Sequence, residues 1–223
     1  MLSSMATRSL LAELLAAFSR ETSHAVQLSS AGGVDVAQRV QGGEAVDVVV
    51  LASNAIEKLV SEGHLLSDSR VDVARSGMGI AVGSGQVRPD VGSQQAVRDA
   101  VLAAPSVGYS TGPSGKYLLS LFERWGLMQQ IAQRIVQAPP GVPVATLVAR
   151  GEVALGFQQL SELLGVPGID VLGPLPADIQ HITLFSAAVP RTCSRADDAR
   201  ALLAFLAAPA AADIKRRHGM EPA

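Results

Sequence analysis

Strand-like and helix-like segments alternate along almost the whole chain, and no other feature restricts the possible folds as much. Leu10, Leu11, Leu14, Leu15 and Phe18 recur at helical spacing, and the extended AVQLSS follows them. A helix is expected from Val34 to about Gln41. Then comes VDVVVLA (Val46 to Ala52), a β-branched run typical of a parallel strand buried on both faces. A helix over Asn54 to Glu62 has Ser53 or Asn54 as its cap. Asp72 to Val82 reads as extended, with Gly77, Gly79 and Gly83 marking bends. Further helices are predicted over Ser93–Ala103, Ser114–Trp125, Val144–Arg150, Gln158–Leu164, Ala196–Ala207 and Ala210–Arg217. SVGYS, VALGF, IDVLGPL and HITLFSAAV are the strands between them. Such alternation implies an α/β fold, with mostly parallel sheets flanked by helices. Ligands of such folds sit where strands end and helices begin. The loops that matter are therefore 2–7, 29–34, 52–54, 109–116 and 157–161.

Composition narrows the function by exclusion. A chain of 223 residues accommodates one large domain or two small lobes. Hydrophobic residues make up 48% but aromatics only 4%, so Ala, Val, Leu and Ile must build the core. The net charge of −2 and the lack of an arginine–lysine cluster argue against a nucleic-acid partner. An anion ligand would have to be held by local devices, such as backbone N–H groups and helix N-termini. Cys193 is the only cysteine, and His24, His64, His181 and His218 are scattered, so no metal site is expected. No cofactor is expected either. No stretch reaches the roughly 20 apolar residues of a membrane span. MLSSMATRSLLAELLAAFSR is an amphipathic helix rather than a secretory leader, which fits a periplasmic protein whose leader has been removed, or else a cytoplasmic one.

Four segments carry candidate chemistry. Ser3, Ser4 and Thr7 precede the first helix, where hydroxyls cap the helix and its unpaired N–H groups hold an anion. Gly32 and Gly33, after Ser29 and Ser30, let the backbone come close to a ligand and form an anion-binding nest. GYSTGPSGKYLLSLF is the most informative. It combines hydroxyls at Ser110, Thr111 and Ser114, glycines at 112 and 115, and Lys116 in the first turn of a helix. The spacing is not that of a Walker A loop. Gln158 and Gln159 open the helix after VALGF, and their amides can read a carboxyl group without a full charge. No GxSxG, HExxH or paired-acid motif occurs, and Glu152 and Glu162 stand singly, as solvated residues do.

The order of these segments resembles the extracytoplasmic solute-binding family of molybdate and related oxyanion transport, of the type II periplasmic-binding-protein class. The resemblance rests on LSSMATRSL, AQRVQGGEAVDVVVLASNAIEKL, SGMGIAVGSG, GPSGKYLLSLFERWG and the GEVALGF turn, and it covers nearly the whole chain. It implies two lobes joined by a pair of crossing strands that act as a hinge, with the ligand between the lobes. The lobes would be residues 1–77 plus 187–223 and residues 78–186. Carried onto this sequence, the binding positions are Ser3 or Ser4, Gly32 and Gly33, the loop from Thr111 to Gly115, and Gln158 with Gln159. Glycines 32 and 33 stand where molybdate binders carry a serine, and Gln159 stands near their tyrosine ligand, so a planar or branched carboxylate is a ligand on the same footing as molybdate. Only Met1 and Leu2 precede the first serine loop, where family members have a full strand. The resemblance also implies a small anionic ligand and an ABC-transporter permease as partners. As a runner-up, the scaffold also resembles that of aconitate isomerase, an enzyme that shifts a double bond by proton transfer. That alternative needs a group able to take a carbon-bound proton, and Lys116, Tyr109, His181 and Arg75 are the candidates.

Overall fold

The computed structural model describes residues 1–223. In chain order the elements are β1 (Leu2–Ser4), α1 (Arg8–Glu21), β2 (Ser29–Ala31), α2 (Gly33–Gln41), β3 (Val49–Ala52), α3 (Ser53–Ser61) and β4 (Val71–Ser76). They continue with β5 (Met78–Gly83), α4 (Gln94–Ala103), β6 (Val107–Tyr109), α5 (Pro113–Arg124), α6 (Met128–Ile131), β7 (Ile135–Gln137), α7 (Val144–Ala149) and β8 (Leu155–Gln159). The last are α8 (Leu160–Leu163), β9 (Ile169–Pro174), β10 (Thr183–Ala188), α9 (Ala196–Ala207), α10 (Ala212–Arg217) and β11 (Met220–Pro222). No helix is long and apolar enough to cross a membrane.

The chain divides into two compact units, residues 1–76 with 183–223, and residues 77–182. The return boundary lies four residues before the expected position 187. The reason is that all of β10 pairs within the first unit, with β3 on one side and β4 on the other. The chain therefore passes between units at Ser76–Gly77 and again at Ile182–Thr183, next to strands rather than within them.

The first unit is a six-stranded sheet in the order β11-β4-β10-β3-β1-β2. β1 runs parallel to both β2 and β3, while β10 is antiparallel to β3 and β4, and β11 to β4. Its two faces bury separate cores. Leu10, Leu14 and Phe18 of α1 pack with Val50, Val73, Leu202 and Leu206 on one, and Val36, Val40, Ile56 and Leu59 of α2 and α3 with Val49 and Leu51 on the other. The alternation of Val49, Val50 and Leu51 between the two cores is the strand period at work, and it explains why this run has no polar position.

The second unit is a five-stranded sheet in the order β7-β6-β8-β5-β9. β6 is parallel to β7 and β8, whereas β5 is antiparallel to β8 and β9. Met78, Ile80 and Phe157 face α4 and α5 through Val97, Val101, Leu118 and Phe122. Ala81 faces the other way, against Ala145 and Leu163. Each sheet thus has a parallel trio extended by antiparallel strands. The antiparallel members include β4, β5 and β10, which flank the passes between units, so strand–helix alternation alone overstated the parallel share.

Candidate functional site

Parallel strands end on the same edge of a sheet, so the helices that follow them start there together. In the first unit this edge collects the ends of β1, β2 and β3 and the starts of the turn at Met5–Thr7, of α2 and of α3. Residues 2–4, expected to be a loop, form the central strand of the trio instead. Ser3 is fully buried, sits opposite Ser30 in the β1–β2 ladder, and shares a 2.8 Å hydroxyl–hydroxyl hydrogen bond with it. Ser4 and Thr7 form a local turn, in which the Thr7 hydroxyl donates to the Ser4 carbonyl at 3.1 Å. Neither hydroxyl caps the following helix.

Gly32 caps α2 with φ −56°, and a Cβ on Gly33 would meet nothing nearer than Leu51 at 3.8 Å. Gly33 is therefore dispensable for packing, and a nest needing positive φ does not form at either glycine. Their backbone opens the nine-residue α2, as the nest reading required in outline. Ser53 is the first residue of α3 rather than its cap. Its hydroxyl accepts from the Arg70 guanidinium at 2.7 Å, and Arg70 also binds Glu57 and Asp72.

In the second unit the equivalent edge joins the end of β6 to the twelve-residue α5. Gly112 caps α5 and Pro113 occupies its first turn, where a missing N–H costs nothing. The Ser110 and Ser114 hydroxyls lie 3.1 Å apart and tie the strand end to that turn. Gly115 has a different role from the expected one. A Cβ there would stand 1.7 Å from the Ser110 carbonyl oxygen, so this glycine allows close packing rather than ligand approach. Lys116 is exposed and forms no ion pair. Tyr109 and Thr111 are part-buried beside it.

Gln158 and Gln159 are strand residues, and Gln159 is also the cap of α8, whose first residue is Leu160. They end β8, paired with Gly79 and Met78, and both are almost fully buried. The Gln158 side chain is engaged at both ends: its Oε1 accepts from the Ala145 N–H at 3.1 Å, and its Nε2 donates to Glu162 Oε1 at 2.8 Å. Glu162, read from sequence as solvated, keeps part of its surface exposed, but protein packs densely around its carboxyl group. Burial raises its pKa to about 7, against a smaller lowering by the Gln158 hydrogen bond. The signal for this pair was the Gln158–Glu162 spacing of four across a strand–helix junction.

His181 stacks on Tyr117 of α5, with ring centroids 4.6 Å apart and planes inclined by 14°. The Tyr117 hydroxyl donates to the Ile179 carbonyl at 2.8 Å. Burial lowers the His181 pKa, which keeps the imidazole neutral at neutral pH. Lys116, Tyr109 and His181 thus all lie on or against the β6–α5 region of the second unit. Arg75 belongs to the first unit, exposed on β4 opposite Leu184 and Glu221. A cavity of about 520 Å³ in the first unit opens at the opposite, amino-terminal ends of β1 and β2, lined by Met1, Phe18, Val26 and Val46. Its charged residues largely satisfy one another, Arg39 with Glu44 and Arg195 with Asp47.

Comparison with known proteins agrees with this architecture. An aconitate isomerase from a Pseudomonas species is 40% identical over 188 residues, which is 84% of this chain and 71% of that protein. The periplasmic molybdate-binding protein of Azotobacter vinelandii superposes with a TM-score of 0.82 at 22% identity, covering 98% of this chain and 96% of its own. PEB3 of Campylobacter jejuni, bound to L-phospholactate, gives a TM-score of 0.75 at 13% identity, covering 99% and 97%. Residues 1–221 match a single family throughout, and the chain belongs to the bacterial extracellular solute-binding proteins.

Proposed function

We propose that this chain binds a small oxyanion or (poly)carboxylate outside the cytoplasm, with the β6–α5 loop as the principal contact, and delivers it to an ABC-transporter permease. The observation that carries the reading is the start of α5. Backbone N–H groups of a twelve-residue helix are presented beside the Ser110, Thr111 and Ser114 hydroxyls and an exposed, unpaired Lys116. Within the first unit, the Ser3–Ser30 hydroxyl pair and the start of α2 are donors of the same kind. Gln159 reads the ligand's carboxyl or oxyanion group, while Gln158 is reassigned to the framework. The 40% identical aconitate isomerase supports an anionic ligand, since aconitate is a small anion. A thermal-shift panel of citrate, aconitate, sulfate and molybdate against sugars and amines tests the reading. Stabilisation should follow RT ln(1 + [L]/Kd), about 2.7 kcal/mol at a hundredfold excess over Kd. A response to sugars or amines alone would reject it.

The 40% identity to an aconitate isomerase favours a second reading, catalysis on an unsaturated tricarboxylate. The chemistry is a 1,3-proton shift. A base removes a proton from the carbon next to a carboxylate, the electron pair moves through the double bond, and a proton is returned at the far carbon. The neutral His181 imidazole is suited to the base, and Lys116 to the negative charge that develops on the carboxylate. Proton NMR of cis-aconitate in deuterated water separates the two readings. Sub-stoichiometric protein that forms the trans isomer and introduces deuterium is an isomerase, whereas line broadening without conversion means binding only.

A further inference from the structure

Gln158 and Gln159 leave the same strand end towards opposite faces, as the two-residue period requires. Gly79, the partner of Gln158, faces Leu160 and Leu163 of α8, and Gly156, two residues earlier, faces Val144 and Val148 of α7. Gln158 therefore lies on the α7–α8 face. Gln159 shares the opposite face with Phe157, Met78 and Ile80, the face covered by α5. On its own face Gln158 connects two helices, accepting from the first turn of α7 at Ala145 and donating to Glu162 of α8. The Leu160 N–H adds a backbone bond to the Gly77 carbonyl at 2.9 Å.

We propose that Glu162 is a positioning residue: by holding Gln158 against α7, it fixes the β8–α8 junction so that Gln159 is presented on the α5 face, and it thereby sets anion affinity without touching the ligand. The inference rests on the anion-binding reading above. Glu162 titrates near neutrality, and no ionised side chain compensates it. β5, β8 and α7 contain no charged residue, and Asp170 of β9 is engaged by the Ser84 hydroxyl and lies 3.9 Å from Arg88. Ionisation places an uncompensated negative charge at the strand end that carries Gln159. Anion affinity should therefore fall as pH rises through about 7.

Calorimetry with citrate across that pH range, on the wild type, E162A and E162Q, tests this. E162A removes the acceptor and should weaken citrate about three- to tenfold, the loss of one neutral hydrogen bond. E162Q keeps an amide oxygen for Gln158, so it should retain the low-pH affinity of the wild type and lose the pH dependence. If both variants bind citrate with the wild-type affinity and pH profile, Glu162 is only structural and the inference fails alone. An E162Q protein as weak as E162A would also overturn it. If the folded wild type binds citrate, aconitate, sulfate and molybdate not at all, the anion reading falls and takes the inference with it.

Discussion

Gly115 is the residue whose replacement has the most direct consequence. Its missing side chain leaves room for the Ser110 carbonyl, which a Cβ would approach to 1.7 Å. Gly115→Ala must push β6 and α5 apart, at a cost of about 3 kcal/mol or more, read as a lowered denaturation midpoint in urea. Ser114 and Lys116 call for the opposite experiment, because the proposed function gives them roles towards the ligand. A Ser114→Ala, Lys116→Ala double variant should lose roughly 2–4 kcal/mol of anion binding, about 30- to 1000-fold by calorimetry, while remaining folded. Unchanged affinity would move the site away from α5. The sequence made the hydroxyls and the lysine legible as a cluster. It did not reveal that Gly115 serves packing, because a glycine needed for a ligand and one needed for a neighbouring carbonyl are the same letter. The framework role of Gln158 was hidden for a related reason: its partner Ala145 N–H is adjacent only once α7 has packed against β8.

Helices and strands were legible wherever a hydrophobic period ran long enough, as in α1, β3, α5 and α9. Of the three-residue strands, β6 lies within the expected strand SVGYS, whereas β1 and β11 were not legible, since so short a segment carries no period of its own. At the β8–α8 junction the expected start of α8, Gln158, lies two residues before the observed one, because glutamines suit a helix start as well as a strand end. That junction has a measurable signature. Glu162 has a folded pKa of about 7 against an ordinary value of 4.5, so the folded state binds the proton more tightly than the unfolded chain does. Its contribution to stability is fully present below about 4.5 and is lost as pH rises through 7, with an upper size of about 3 kcal/mol. Glu162→Gln should therefore flatten this part of the pH–stability curve obtained by urea denaturation. An unaltered slope would show that the carboxyl group is solvated after all.

At the scale of the whole molecule the two units differ in how the chain builds them. The second unit is one continuous stretch, 77–182, whose sheet and cores are closed within that stretch. The first is assembled from both ends of the chain, and β10 is the only strand joining β4 to β3. A fragment of residues 77–182 should fold alone, with a cooperative urea transition and native-like far-ultraviolet circular dichroism. A fragment of residues 1–76 should not, because it lacks the strand that completes its sheet. A cooperative transition in the shorter fragment would contradict this account. The place of the return was not legible in the sequence, because ITLFSAAV shows which residues are extended and not which sheet recruits them. The same topology imposes an order on biosynthesis. At about 5–20 residues per second, the ribosome needs roughly 5–20 s to make the second unit after β4 has emerged. During that interval Val49, Val50 and Leu51 sit on an unfinished sheet edge, open to chaperones or to a neighbouring nascent chain, until Thr183 and the residues after it arrive to cover them.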